Sequence, residues 1–246
     1  MIEIRPVEGI PEVSEGAPLG VMIATACEPQ DADVVVISQK VVSKAEGRVR
    51  DLSAVEPSGR AVELAADLGK NPRLVELILS ESRQVLRAEH GVLIVETNGG
   101  LICANAGIDA SNVPGDDVVA LLPEDADESA RRIRTEIATA GGARPAVLIV
   151  DSFGRPWRLG QTEVAIGCAG LRPMDDWRGS ADREGQQLGA TMIAIADEVA
   201  AAADLARDKA SGEPVVVVRG LGRHVTRDDG PGAAALRRDA ERDLFR

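Results

Sequence analysis

The chain reads as an α+β protein, with mixed sheets and packed helices, and three observations lead there. Three near-continuous β-branched or apolar runs, Asp33–Ser38, Val147–Val150 and Val215–Val218, have the pattern of strands covered on both faces. Between them lie stretches with apolar residues at helical spacing. A hairpin, Val92–Glu96 and Leu101–Ala104 around Thr97-Asn-Gly-Gly100, interrupts any strict β-α-β series and argues against a doubly wound sheet.

Taken in order, Ile2–Ile4 alternates apolar and charged residues as a short strand does, and Val7–Glu12 is a turn in which Pro11 excludes ladder pairing. Leu19–Cys27 is a small-residue helix. The Asp33–Ser38 strand leads into a polar cluster, Gln39–Gly47. Val62–Lys70 and Asn71–Arg87 read as helices. The second has Asn71 as N-cap, Pro72 at the first helical position, and Leu74, Leu77, Ile78 and Val85 on one stripe. Asp127–Ala140 is a further helix closed by Gly141-Gly142. After the apolar run ending at Val150 comes a loop, 151–162, then a short strand Val164–Gly167 and a polar loop Asp175–Gly185. Gln187–Asp208 reads as the longest helix, with Leu188, Met192, Ile195 and Val199 in register. Val215–Val218 is the last strand. The charged, Gly/Pro-bearing segment from Thr226 reads as a mobile tail or linker.

At 246 residues the chain can bury a sizeable core, as one large domain or two lobes. A net charge of -12, with no uninterrupted Lys/Arg run, excludes a nucleic-acid binder of the usual basic kind. Three distant cysteines, Cys27, Cys103 and Cys168, make no disulfide framework and fit a reducing compartment. The first residues contain no long apolar stretch, and no apolar run reaches the ~18 residues of a membrane span. A cytoplasmic protein is expected.

Several nucleotide and metal signatures are missing: a P-loop, a GxGxxG opening a helix, and HExxH. Two histidines, His90 and His224, cannot build a His-rich zinc site, so carboxylate and hydroxyl oxygens remain, the ligands of Mg²⁺ or Mn²⁺. Asp151 and Ser152 directly follow an apolar run, which delivers them at a strand end; Asp-Ser before Gly is equally good turn chemistry. The residues that follow, Arg155, Trp157, Arg158, Gln161 and Thr162, are unusual for a plain turn, and two arginines offer donors to phosphate or carboxylate. Asp109 sits in the small-residue loop Asn105–Asn112 and is open to the same two readings, a ligand or an Asx turn. Lys40 and Lys44 either decorate a loop or meet an anion, with Gly47 allowing close backbone approach in the second case. Together these point to an oxygen-ligated metal beside an anion.

Three motifs, Ser38-Gln-Lys-Val-Val-Ser-Lys-Ala-Glu-Gly-Arg48, Asn105-Ala-Gly-Ile-Asp-Ala-Ser-Asn-Val113 and Asp151-Ser-Phe-Gly-Arg-Pro-Trp-Arg-Leu-Gly-Gln-Thr162, resemble the coenzyme F420-0:L-glutamate ligases, or γ-glutamyl ligases. Gly9-Ile-Pro-Glu12, Ala196-Asp-Glu198, Ala203-Asp-Leu205 and Pro214–Gly220 extend the likeness over nearly the whole chain, 1–246, as one ligase domain. The resemblance implies a two-lobed mixed α/β fold, an intertwined homodimer, and a GTP-dependent ligase of a deazaflavin coenzyme pathway. GTP, L-glutamate and F420-0 are the implied partners, with Mg²⁺ or Mn²⁺ and also K⁺, and no nucleic acid or membrane. It implies Asp109, Asp151 and Ser152 as metal ligands. It implies GTP contacts at Ile10, Pro11, Glu12, Val13, Ser38 or Gln39, Lys44 and Asn112, and along the segment Leu205 through Lys209 to Gly212. Lys44, with Arg155 or Arg158, would offset charge developing on a transferring phosphoryl group. Two positions depart from the pattern: Gln39 stands where a small hydroxyl residue is usual, and Asp208 where glycine is. Some bacterial relatives continue into a nitroreductase-like flavin domain, so either a stand-alone ligase or the ligase part of a longer protein is implied. The alternatives are a related amide ligase with another carboxylate acceptor and a non-catalytic nucleotide-binding homologue.

Overall fold

A computed structural model describes residues 1–111, 115, 117–208 and 211–244. It is α+β, as the sequence predicts. Its elements begin with β1 (Glu3–Pro6), α1 (Leu19–Cys27), β2 (Val34–Ser38), α2 (Gln39–Ala45), β3 (Val49–Asp51), α3 (Gly59–Leu68) and α4 (Pro72–Ser80). Next come β4 (Ser82–Glu89), β5 (Val92–Thr97), β6 (Ile102–Ala104), β7 (Val118–Ala120) and α5 (Ala126–Gly141). The chain continues through β8 (Ala146–Arg155), β9 (Arg158–Ala169), β10 (Asp175–Asp176), β11 (Met192–Ile193), α6 (Ile195–Asp204) and β12 (Val215–Arg219).

The main sheet has the order β1-β12-β2-β8-β9. Only β2 and β8 run parallel; the other pairs are antiparallel. Period-two alternation splits each apolar run between two layers. Val35, Ile37, Val147, Ile149, Val215 and Val217 pack against Leu19 and Ile23 of α1 and Ile133 and Ile137 of α5. Val34, Val36, Leu148, Val150, Val216 and Val218 pack against Ile195, Val199 and Ala203 of α6. This is why the strands read as continuous apolar runs. Helix α1 crosses α5 so closely that a Cβ on Gly20 would sit 2.7 Å from the Ile133 carbonyl oxygen.

A second lobe is built on the meander β4-β5-β6, whose inward Leu93 and Val95 meet Ala61, Ala65, Val75 and Ile78 of α3 and α4. The β3–β7 ribbon lies beside it over Leu52, Leu77 and Leu121. The predicted Thr97–Gly100 hairpin is present, with Val95 opposite Cys103.

The structure corrects four boundaries. Helix α4 keeps its Asn71 cap, whose side chain accepts from the Arg73 N–H at 2.9 Å, but it ends at Ser80. Residues 82–89, including Val85, are strand β4, because pairing along β5 outweighs a weak local helical pattern. Gln39–Gly47 is not a loop but opens as α2. The expected long helix 187–208 is reduced to α6. Residues 175–193, with Leu188 and Met192, form instead an irregular hairpin in which the Asp182 carboxylate accepts the N–H groups of Glu184 and Gln186. Finally, residues 151–162 are not a loop: β8 and β9 run on as one antiparallel arm, with Arg155 opposite Arg158 at its tip.

The segment after Thr226 is docked as far as Leu236. Arg134, 1% exposed, donates to the carbonyls of Pro145, Thr226 and Asp228 and to the Asp229 carboxylate. Asp127 accepts from the backbone N–H groups of Cys168, Ala233 and Ala234. Among the described residues no helix is long and apolar enough to cross a membrane.

Candidate active site

Ser38, the last residue of β2, pairs with Val150 of β8, so Asp151 and Ser152 emerge just where the parallel neighbour stops. That is the customary place for ligand chemistry in a sheet with parallel strands. A bulge between Ile149 and Val150 shifts the β8–β9 register and brings Glu163 opposite Ser152. Ser152 Oγ donates to Glu163 Oε1 at 2.6 Å. Glu163 Oε2 in turn lies 3.9 Å from the Arg207 guanidinium, which also donates to the Pro214 carbonyl.

From the end of β2, α2 carries Lys40 and Lys44 four residues apart and therefore on one face. Lys40 Nζ is 2.7 Å from Asp109 Oδ2, and Lys44 Nζ is 2.6 Å from Glu12 Oε1. Asp109 also accepts from the Ser111 N–H at 2.7 Å, the Asx turn its sequence allowed. The turn reading of Asp109 therefore holds, and the same carboxylate lines a cavity.

Two cavities meet on this floor. One, of about 540 Å³, is lined by Ile10, Pro11, Glu12, Val13, Ser38, Lys44 and Gly212, with Glu163, Arg207 and Asp208 among the others. The second, of about 1310 Å³, is lined by Asp109, Arg155 and the β5–β6 face. Lys40, Asp151 and Ser152 line both. Nine of the sequence-predicted residues thus share the smaller cavity, and Asp109 and Arg155 face the larger. The Gln39 side chain lines neither; it is buried within α2, its Oε1 accepting from Ser43 Oγ at 2.9 Å. Arg158 lies at the exposed arm tip and Leu205 is 89% exposed; neither lines either of these two cavities. Asn112 and Lys209 lie outside the described residues.

The electrostatics are lopsided. Burial pushes the Asp151 carboxyl up to about 7; Lys40 and the Ser152 N–H oppose this, while Glu163 and Asp109 add to it. Burial also raises Asp109, but Lys40 and Ser111 outweigh it and hold that carboxyl below its ordinary value. Carboxylates accumulated around one half-buried member are a condition that a cation relieves. Among the described residues no three His, Cys, Asp or Glu side chains already form a metal cluster. The donors present are carboxylate and hydroxyl oxygens, which fit a hard divalent cation that draws its remaining ligands from phosphate and water.

Three participants escape a reading of single residues. Lys40 was legible only as one of two loop lysines, although its spacing from Lys44 carried a helical signal. Glu163 and Arg207 gave no signal, because the first depends on a bulge and the second on a turn after α6.

Residues 9–220 match the family model for F420-0:gamma-glutamyl ligase. A Haloarcula marismortui protein named coenzyme F420:L-glutamate ligase is 44% identical over 254 residues, covering 100% of this chain and 96% of the relative. A Methanothermobacter thermautotrophicus protein of the same name is 42% identical over 251 residues, covering 100% and 99%. One from Archaeoglobus fulgidus is 43% identical over 221 residues, covering 89% and 88%.

Proposed function

We propose that this chain, which belongs to the F420-0:γ-glutamyl ligase family, joins L-glutamate to coenzyme F420-0 with GTP as the activating co-substrate. The observation that carries the reading is the wall of Lys40, Asp151 and Ser152 shared by two cavities, since ligation needs a phosphoryl donor and a carboxylate acceptor within reach of one another.

An amide cannot form directly from a carboxylate, whose oxygen is a poor leaving group. In the proposed sequence a carboxylate oxygen of the acceptor attacks the γ-phosphorus of GTP. The bond to the β–γ bridging oxygen breaks, GDP leaves, and an acyl phosphate forms. The amine of glutamate then attacks the acyl carbon, inorganic phosphate departs, and the amine gives up its proton. Lys44, beside the smaller cavity, counters charge on the nucleotide, and Lys40 counters it at the wall where phosphoryl transfer takes place. Asp151, Ser152 and Asp109 would hold a divalent cation, which when bound supplies charge neutralisation to phosphate oxygens. Glu163, by accepting the hydrogen bond that the Ser152 hydroxyl donates, leaves the Ser152 lone pairs directed away from itself.

Incubation with F420-0, GTP, Mn²⁺ and glutamate, followed by mass spectrometry, should give product carrying the first and further γ-linked glutamates, with one GDP and one phosphate released per glutamate joined. Folded protein that binds GTP yet yields no amide would sink the reading.

A further inference from the structure

Between the end of α6 and the start of β12, Asp204, Arg207, Asp208, Gly212, Glu213 and Pro214 line one side of the smaller cavity. Arg207 ties the two ends of this stretch together. Its Nη1 donates to the Pro214 carbonyl at 3.1 Å, and its Nε stands 3.8 Å from Asp204 Oδ1. The remaining nitrogen, Nη2, lies 3.9 Å from Glu163 Oε2 on β9. One side chain thus joins the last residue of α6, the residue before β12, and the strand that faces Ser152.

Arg207 is withdrawn from water without being used up. Its side chain is 8% exposed, yet among the described residues it makes one hydrogen bond, and the two carboxylates stand too far off for another. Arg134 donates instead to six acceptors, all within 3.4 Å. Coulombic attraction falls off slowly with distance, and at Glu163, whose side chain is 5% exposed, little water screens it. A guanidinium so placed orients a carboxylate rather than gripping it. The orientation matters because of the other oxygen, Glu163 Oε1, which accepts from Ser152 Oγ at 2.6 Å. With Oε2 drawn toward Arg207, the carboxylate plane is set, and with it the direction in which Ser152 turns its lone pairs.

We infer that Arg207 is a positioning residue for the proposed reaction: through Glu163 it sets the orientation of Ser152 Oγ toward a divalent cation, and it keys that orientation to the placement of Asp204 and Pro214 at the wall of the nucleotide cavity. This rests on the ligase reading above for the identity of the nucleotide and the cation. The role differs from that of a phosphate contact. Removing a donor to the nucleotide weakens nucleotide binding directly. Removing a residue that acts through Glu163 has no effect once Glu163 no longer orders Ser152.

The test is a double-mutant cycle on the full chain with Arg207→Met and Glu163→Gln. Mn²⁺ binding is read by electron paramagnetic resonance with GDP saturating, and GDP binding by calorimetry on metal-free protein. Arg207→Met should weaken Mn²⁺ binding about tenfold. Metal-free GDP affinity should stay within about twofold, and in the Glu163→Gln background Arg207→Met should change Mn²⁺ affinity by less than about twofold. Losses that multiply across the cycle, unchanged Mn²⁺ affinity in Arg207→Met, a metal-free GDP affinity that falls with it, or no Mn²⁺ binding by wild type would overturn the assignment. Thermal melts check folding. If Arg207→Met does not melt cooperatively, Arg207→Lys takes its place: a lysine keeps the charge but lacks the planar fork that spans Pro214 and Glu163, so the same pattern is expected with about a threefold loss. Binding of GDP and Mn²⁺ needs no acceptor. If these results hold and no amide forms from F420-0, GTP and glutamate, the ligase reading fails while the role of Arg207 in placing Ser152 stands.

Discussion

Two of the regions where this molecule withdraws charge from water differ in what is left over. Around Arg134 the guanidinium is fully supplied with acceptors: five backbone carbonyls and the Asp229 carboxylate at 2.6 Å. Asp127 nearby is matched by three backbone N–H groups. Around Asp151 the carboxylates of Asp109 and Glu163 add to the effect of burial, Lys40 is shared with Asp109, and two cavities open onto the group. Buried charge by itself therefore does not mark a site. Charge that the fold leaves uncompensated, and that a cavity reaches, does.

The comparison breaks if the two regions respond alike to substitution. Arg134→Leu should lower unfolding free energy by about 3–5 kcal/mol, because it strands Asp229 and several carbonyls. Urea denaturation would read this, and the folded fraction should keep its specific activity. Asp151→Asn should do the reverse: ligation falls about 10²–10³-fold while the urea midpoint at neutral pH holds or rises. An Asp151→Asn protein that unfolds like Arg134→Leu would mean Asp151 is structural. Glu163→Gln is a finer probe. A glutamine can donate to Ser152 Oγ and turn its hydroxyl proton outward, so Mn²⁺ affinity with GDP present, measured by electron paramagnetic resonance, should weaken about 10–100-fold. Unaltered Mn²⁺ affinity would show that the Ser152–Glu163 bond has no part in cation binding.

The same contrast explains what could be read from the sequence. Asp151 and Ser152 were legible because a buried strand of Leu148, Ile149 and Val150 ends in polar residues that no core needs. Asn71-Pro72 announced the start of α4, and Gly141-Gly142 the end of α5, since caps are local chemistry. What stayed hidden depends on pairing over distance. The β8–β9 arm contains Gly154, Pro156 and Gly160 and looks like a loop until its two sides are laid together. Glu163 meets Ser152 only because a bulge resets the register, and β4 is a strand only because β5 lies beside it. Arg134 gave no sign of its burial, because its acceptors are carbonyls 92–94 residues away along the chain at Thr226 and Asp228.

The smallest effect expected is one of pH, and here the two regions should have opposite signs. Burial raises the Asp229 carboxyl, but Arg134 and Arg144 outweigh it and hold it below 3.8 in the folded chain. Its stabilising contribution is therefore fully present above pH 3.8 and is lost as pH falls through the lower folded value. Asp151 is shifted the other way, from 3.8 to about 7. In metal-free protein its penalty is full above about pH 7 and is relieved as pH falls toward 3.8, because the folded state takes up the proton first. The gain is at most about 1.4 kcal/mol per pH unit from this one group. Urea midpoints measured from pH 7.5 to 5 should thus separate wild type from Asp151→Asn most at the upper end and converge toward the lower. Asp229 contributes nothing across that window, so curves that run parallel would remove the excess negative charge on which the distinction between the two regions depends.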